Sequence, residues 1–324
     1  MSQSHSKVMR WAQSSKPLLG GLSFFGAFML ASIIGIIYKD VSKPDIVLMI
    51  SGAAGFLLGC LDDTITMRAC WKFFFQFTIA NFIFFNGVQI EVTPVAIFNY
   101  IVTISWIVGL MNSINMIDNM DGIAATICIF ILAAAISISF FYYRNSHTLI
   151  IFLCIAVLIA LCVFMKFNYS PAQLFMGDAG SQFLGAVLSV ISILFFWQFR
   201  DIDARGLQIK QWIVPLVLFI VPLTDTATVV FRRTLRGQRF WIGGRDHTTH
   251  YIAYMGCSDA QVNVIIALLS AISFIISLII IYLFSNNEWK YYYSFLVFIY
   301  LMLLFISMQA VITRVEYINS KKTT

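Results

Sequence analysis

Residues 109–124 read GLMNSINMIDNMDGIA, and Asn112, Asn115, Asp118 and Asp121 fall at every third position. The stretch lies between two segments apolar enough to cross a bilayer. A carboxylate at the centre of a bilayer costs roughly 2.5–3.5 kcal/mol, less near the interface. Such residues therefore need a reason to be there. Neighbouring members of the series share a helical face, but each step of three rotates the stripe by about 60°. Asn112 and Asp121 can face one point only if the helix ends or bends, and Gly122 is the natural break. Asparagines alone could serve as hydrogen-bonding contacts between membrane helices. Two added acids point instead to a cation.

Three further loops carry polar chemistry. In GCLDDTITMRACWKFFFQF, residues 59–77, Asp62 and Asp63 are adjacent, and Lys72 and Gln76 follow at i, i+4 on the next helix. The acid pair suits a divalent cation, one metal ligand plus one base, or simply a hydrated helix end. In KFNYSPAQLFMGDAGSQFLG, residues 166–185, Asp178 stands close to an expected helix start at Ser181. Backbone N–H groups at such a start favour phosphate, and Phe175 offers a platform for a flat base. The Gly-Asp-Gly turn is not a Walker A loop, since no Gly-Lys-Ser/Thr follows. The longest loop, RRTLRGQRFWIGGRDHTTHYIAYMG at 232–256, holds five arginines, Asp246, and His247 and His250 at i, i+3. Arginines recognise phosphate, although a basic loop is also ordinary on the cytoplasmic side of a membrane protein. The histidines beside Arg245 and Asp246 suit phosphate contact or proton transfer. Zinc is disfavoured, since HExxH is absent and no cysteine pair joins them.

The elements that must position these residues are membrane helices. The chain has 324 residues, of which 60% are hydrophobic and 11% charged. That composition predicts a single polytopic all-α membrane domain over 1–324. About ten spans are expected, at roughly 22–38, 44–60, 71–87, 94–111, 123–143, 148–165, 182–198, 212–231, 260–285 and 291–312. Strands are not expected, because backbone exposed to lipid must satisfy its own hydrogen bonds. The first apolar run should be an uncleaved span. With both termini in the cytoplasm, basic residues favour that side by about two to one, as the positive-inside bias requires. The net charge of +6 then reflects topology, and no nucleic-acid partner is implied. Asp62, Asp63, Asp118, Asp121, Asp178, Asp225 and Asp246 all fall into the same cytoplasmic layer. Cys60, Cys70, Cys128, Cys154, Cys162 and Cys257 form no CxxC pair and are expected to be free thiols. Together the loops call for a phosphorylated cytosolic substrate, a hard divalent cation and a partner resident in the lipid bilayer.

The motifs KPLLGG (16–21), LDD (61–63), NSINMIDNMDG (112–122), FNYSPAQLFMGDAGS (167–181) and RDHTTH (245–250) occur in that order. From about Pro17 to Tyr251 the chain resembles the polyprenyl-phosphate N-acetylhexosamine-1-phosphate transferases. The resemblance implies attack of a polyprenyl-phosphate oxygen, undecaprenyl phosphate in bacteria, on the β-phosphate of a UDP-N-acetylhexosamine. UMP leaves, as the initiating step of a cell-envelope polysaccharide at the bacterial inner membrane. It further implies Mg²⁺, with Mn²⁺ as a substitute, at Asp118 and Asp178. Asp62 and Asp63 match acids that bind or deprotonate the lipid phosphate, which of them being open. Asp121 and Phe175 match positions that hold uracil, and Asn115 and Asn168 match polar site residues. Lys72 matches a phosphate-facing lysine, and His247 and His250 the histidine motif near the diphosphate, with Arg245 beside them. Asp118 and His247 are counted with the acid pair as catalytic candidates, and a homodimer is left open.

Two departures are notable. Relatives usually carry one or two spans before the Gly-Gly motif, whereas only sixteen residues precede Pro17 here. The histidine motif is HTTH, which argues against a UDP-MurNAc-pentapeptide translocase with its histidine triplet, though that donor stays the alternative. A secondary transporter is the rival class, since intramembrane acids also mark ion pathways. It would place polar residues at mid-span rather than at one face.

Overall fold

A computed structural model describes residues 18–142, 147–199, 209–239, 241, 244–286 and 288–323. These residues form twelve helices and no strand. In chain order they are α1 (Gly20–Tyr38), α2 (Lys43–Ile65), α3 (Ala69–Phe85), α4 (Ala96–Ile117), α5 (Ile123–Tyr142), α6 (Thr148–Asn168), α7 (Gly177–Phe195), α8 (Ile209–Leu218), α9 (Ile220–Leu235), α10 (Thr248–Tyr254), α11 (Asp259–Ser285) and α12 (Tyr291–Thr323). The all-helical membrane class is therefore as the sequence implied. Each of the ten expected segments coincides with helix over most of its described length, residue 143 lying outside the described residues, but among the described residues eight helices are long and apolar enough to cross a membrane. The count is nine if α8 and α9 form one bent span. The segment expected at 71–87 is α3, only 17 residues long, or about 25 Å at 1.5 Å per residue.

The segment expected as one span at 212–231 is two helices meeting at 83°. Pro222 has no N–H for the carbonyl four residues back, and its ring crowds that carbonyl. A proline is tolerated in the first turn of a new helix, so the chain restarts as α9 from Ile220. Three other boundaries differ from expectation and matter for the site. Helix α2 runs on to Ile65, which puts Asp62 and Asp63 in its last turn. Helix α7 begins at Gly177 instead of near Ser181, which puts Asp178 in its first turn. Helix α12 continues beyond 312 to Thr323, and its added turns carry Glu316.

Helix α7 is the axis of the bundle, buried along nearly its whole length. Small residues let three neighbours approach it closely, as is usual where lipid supplies no hydrophobic drive for helix association. A Cβ on Gly21 of α1 would sit 2.5 Å from the Gly180 nitrogen, and one on Gly59 of α2 would sit 2.1 Å from the Asp178 carbonyl oxygen. A Cβ on Gly185 would lie 2.7 Å from the Met111 Cα of α4. The Gly-Gly motif is thus explained by packing: Gly20 and Gly21 donate backbone N–H bonds to the carbonyls of Phe175 and Met176, at 2.9 and 3.0 Å. One end of the bundle consequently gathers the starts of α1, α3, α5, α7 and α11, the ends of α2, α4, α6 and α9, and all of α10.

Gly59→Ala should destabilise the protein by roughly 1–3 kcal/mol, since the clash is with backbone that cannot rotate away. Gly26→Ala on α1, where an added Cβ meets nothing within 4 Å, should be neutral within about 0.5 kcal/mol. Thermal unfolding in detergent measures both, and equal effects would contradict this packing.

Candidate active site at one end of the bundle

Lys72, in the first turn of α3, stands among oxygens from three other helices. Its ammonium is 2.6 Å from Asp62 Oδ2, 2.8 Å from Asn115 Oδ1 and 4.0 Å from Asp178 Oδ2. Asn115 turns its amide N–H groups the other way, to Asp178 Oδ1 at 2.5 Å and Ser181 Oγ at 2.8 Å. One turn deeper, Gln76 accepts from Asn112 Nδ2 at 2.8 Å and donates to Gln182 Oε1 at 3.0 Å. The i, i+4 pair of α3 thus meshes with the i, i+3 pair of α4, and both engage α7. The two residues deepest in this mesh, Gln76 and Gln182, are fully buried, so their hydrogen bonds are obligatory.

Asp62 and Asp63 are adjacent but serve different partners. Asp62 accepts from Lys72 and from the Met67 backbone N–H at 2.9 Å. Asp63 spans the start of α7, with Oδ1 accepting from Asp178 N at 3.0 Å and Oδ2 from Ala179 N at 2.9 Å. The first N–H groups of a helix lack intrahelical partners, and anionic charge is favoured there. The residue at the N-cap, Met176, supplies no side-chain cap. Helix α2 therefore caps α7 from outside. This corrects the expectation that these N–H groups stand open to phosphate, because a carboxylate already occupies two of them.

Asp118 is the half-buried C-cap of α4, where the helix ends. Gly122, expected to be the break, adopts φ +77° in the turn that follows, so the helix ends before it, at Ile117. Asp121 Oδ2 accepts from Ala172 N at 2.8 Å, and its carbonyl accepts from Asn263 Nδ2 at 3.1 Å. The buried Asn168 accepts from Gly122 N at 3.0 Å and donates to the Leu174 carbonyl at 2.8 Å. Asp121 and Asn168 together tie the α4–α5 turn to the loop that presents the half-buried Phe175.

The family resemblance implies a divalent cation at Asp118 and Asp178. Among the described residues no three His, Cys, Asp or Glu side chains converge into a ready-made metal cage. The donor chemistry nevertheless fits Mg²⁺, which keeps several waters and takes only one or two carboxylates. Asp62, Asp63 and Asp178 are balanced locally by one ammonium, and the Asp62, Asp178 and Asn115 oxygens already surround a cation, that of Lys72.

The histidine arm approaches from α9 and α10. His247 Nδ1 lies 2.8 Å from Asp225 Oδ2, and Thr248 N donates to Asp225 Oδ1 at 2.7 Å. Thr249 Oγ1 donates to Asn119 Oδ1 at 2.8 Å, which pins α10 to the turn between Asp118 and Asp121. Arg233 grips Asp246 through two bonds of 2.7 and 2.5 Å. Burial alone would raise the Asp246 pKa, but the Arg233 bonds and charge outweigh it and hold it below the usual carboxylate range. Arg232 pairs with Glu316 of α12 at 2.8 Å, and Arg236 also pairs with Glu316. The Tyr251 hydroxyl reaches the same carboxylate at 3.4 Å. Three of the loop's five arginines are therefore held by acids of this chain, while Arg239 and Arg245 are exposed. His250 is buried, and burial together with neighbouring His247 pushes its pKa down to about 4. It is neutral at pH 7 and can contact phosphate only as a neutral ring.

The structure thus brings Asp62, Asp63, Lys72, Asn115 and Asp178 into one cluster, Asp121 and Asn168 into a second, and His247 with Asp225 into a third. Sequence reasoning assigns no role to Asp225, Ser181, Asn119, Thr249, Asn263 or Glu316. Of these, Asp225 gives a signal, as an acid within the apolar run IVPLTDTATVV.

Fold and site define a class: a multi-pass helical membrane protein with a charged, amide-lined site at one end of its bundle. Residues 46–196, which span α2 to α7 and every residue of the first cluster, match the family model described as glycosyl transferase family 4. Over 318 residues, 95% of this chain and 82% of the relative, it is 28% identical to a Bacillus subtilis (strain 168) protein named probable undecaprenyl-phosphate N-acetylglucosaminyl 1-phosphate transferase. A phospho-N-acetylmuramoyl-pentapeptide-transferase of Staphylococcus saprophyticus is 29% identical over 289 residues, covering 80% of this chain and 82% of that one. The enzyme of the same name from Staphylococcus aureus (strain Newman) is 33% identical over 218 residues, 59% of this chain and 64% of its own.

Asp63→Asn can replace only one of the two acceptors at the start of α7, and should lower stability by about 1–3 kcal/mol. An unchanged unfolding midpoint would contradict the cap. For His250 the sign follows from its lowered pKa. The unfolded chain takes up this proton below about 6.5, the folded chain only below about 4. Stability should therefore fall as pH drops through that window, by about 3 kcal/mol at most. His250→Asn should remove that part of the slope between pH 7 and 4.5, and identical slopes would contradict the assignment.

Proposed function

We propose that this protein transfers N-acetylhexosamine 1-phosphate, with GlcNAc 1-phosphate the favoured group, from a UDP-sugar to undecaprenyl phosphate. An oxygen of the lipid phosphate bonds to the β-phosphorus, the bond from that phosphorus to the bridging oxygen breaks, and UMP departs with its electron pair. The observation that carries the reading is the cluster of Asp62, Lys72, Asn115 and Asp178, drawn from four helices at one end of a membrane bundle. There a water-borne diphosphate and a lipid-borne phosphate could meet. Phosphoryl transfer needs mainly positioning and charge neutralisation, and these residues are suited to both.

Mg²⁺, held by Asp178 and Asp118 in this reading, would supply the charge neutralisation at the diphosphate. Asp62 and Lys72 receive the lipid phosphate, with Asp62 the better candidate base because Asp63 is engaged with α7. Asp121, Asn168 and Phe175 bind the uridine, and Asn115 orients Asp178. His247, His250 and Arg245 contact the diphosphate. The site faces the cytoplasm with both termini on that side, in a bacterial inner membrane, which the basic residues at this end support. The reaction would open a cell-envelope polysaccharide pathway. UDP-MurNAc-pentapeptide is kept as an alternative donor because two of the relatives carry that transferase name. The bent α8–α9 pair is similar to the broken helices of transporters, but it leads into the histidine arm, and the charged residues collect beyond it.

Purified protein should release UMP from a UDP-N-acetylhexosamine only when polyprenyl phosphate and Mg²⁺ are both present. Absence of UMP across a panel of UDP-HexNAc donors would remove this reading. Asp178→Asn should lower kcat by about 100-fold or more. Asp121→Asn should act chiefly on KM for the UDP-sugar, with little change in the Mg²⁺ requirement. The reverse pattern would exchange the roles of Asp121 and Asp178.

A further inference from the structure

Asp225 lies in α9 with 1% of its surface exposed. A buried carboxylate is tolerated only when its oxygens are paired. Here one oxygen accepts the Thr248 N–H and the other faces His247 Nδ1. An ionised carboxylate only accepts hydrogen bonds, so Nδ1 must carry the hydrogen. The partner of one ring nitrogen decides what the other can do. His247 is the N-cap of α10, with φ −80° and ψ 156°, and its backbone and ring are therefore fixed by the same carboxylate. The arm is also anchored at both sides. Thr249 bonds Asn119 in the acid-bearing turn, and Tyr251 reaches Glu316 of α12. Among the described residues no hydrogen bond to His247 Nε2 is present. That leaves Nε2 as the ring atom available to a ligand.

We propose that Asp225 is a positioning residue that fixes His247 as its Nδ1–H tautomer and presents Nε2 to the diphosphate of the nucleotide sugar. The choice of ligand rests on the transferase reading; the tautomer does not. With Asp225 behind it, the ring can accept a proton at Nε2 while the carboxylate stabilises the resulting imidazolium. It then offers a positive N–H to the phosphate oxygens where negative charge gathers as UMP leaves. Asn cannot do this, since its amide N–H would donate to Nδ1 and leave the hydrogen on Nε2.

The chain has four histidines, so full-length protein labelled with ¹⁵N-histidine in nanodiscs gives a readable spectrum, and His247→Ala identifies the signal. Wild type should show a protonated Nδ1, and Asp225→Asn should move the neutral ring to the Nε2–H form. A wild-type Nε2–H tautomer, or no change in Asp225→Asn, overturns the proposal. In turnover, Asp225→Asn should lower kcat about 100-fold with KM for the UDP-sugar within about threefold. In a His247→Ala background the same change should cost less than about threefold, because a residue acting through another is silent once that partner is gone. An equal loss in both backgrounds would make Asp225 merely structural and defeat the proposal. If wild type releases no UMP at all, the transferase reading fails, while the spectrum still decides the tautomer.

Discussion

A carboxylate at the end of one membrane helix holds the first turn of another, and the site is arranged around that contact. Asp63 accepts the N–H groups of Asp178 and Ala179. Without it, α7 would begin with unpaired donors inside the bundle, where a buried polar group without a partner is costly. With it, α7 can start four residues earlier than its apolar run suggests, and Asp178 becomes part of a rigid helix. The approach is close because Gly59 has no side chain to separate the two backbones. The side chains that engage the Asp178 carboxylate, Asn115 from α4 and Lys72 from α3, are positioned relative to that fixed start.

The remaining charges follow one constraint: four further acids in this layer have partners before a substrate arrives. Asp62 has Lys72, Asp121 has the Ala172 N–H, Asp225 has His247 and Thr248, and Asp246 has Arg233. Around Asp178 three carboxylates share one ammonium, that of Lys72, whereas three of the arginines are held by Asp246 and Glu316.

Much of this was legible in the chain. Lys72 and Gln76 at i, i+4 and Asn112 and Asn115 at i, i+3 announce shared faces, and the structure pairs them. Gly122 announces a turn near the end of α4, although the helix already ends at Ile117, before Asp118 and Asp121. What local spacing could not show are contacts made at a distance along the chain. Asp63 and Asp178 are 115 residues apart, so GDAGS reads as a turn when viewed alone. Asp225 and His247 are separated by 22 residues and by a change of helix direction. The α8–α9 bend was hidden for another reason: hydropathy averages over an apolar run and is blind to Pro222, which breaks its direction without changing its character. Glu316 lies beyond the expected end of the last span, where helix continuation depends on the partners α9 and α10 supply.

Whether this end of the bundle joins a nucleotide sugar to a lipid phosphate through phosphorus is decided by mass spectrometry of the lipid formed from UDP-N-acetylhexosamine and undecaprenyl phosphate. The proposed transfer gives undecaprenyl diphosphate bearing one N-acetylhexosamine. A lipid monophosphate sugar, formed with loss of UDP, would place the attack at the sugar carbon instead and contradict it, as would the absence of any lipid-linked sugar.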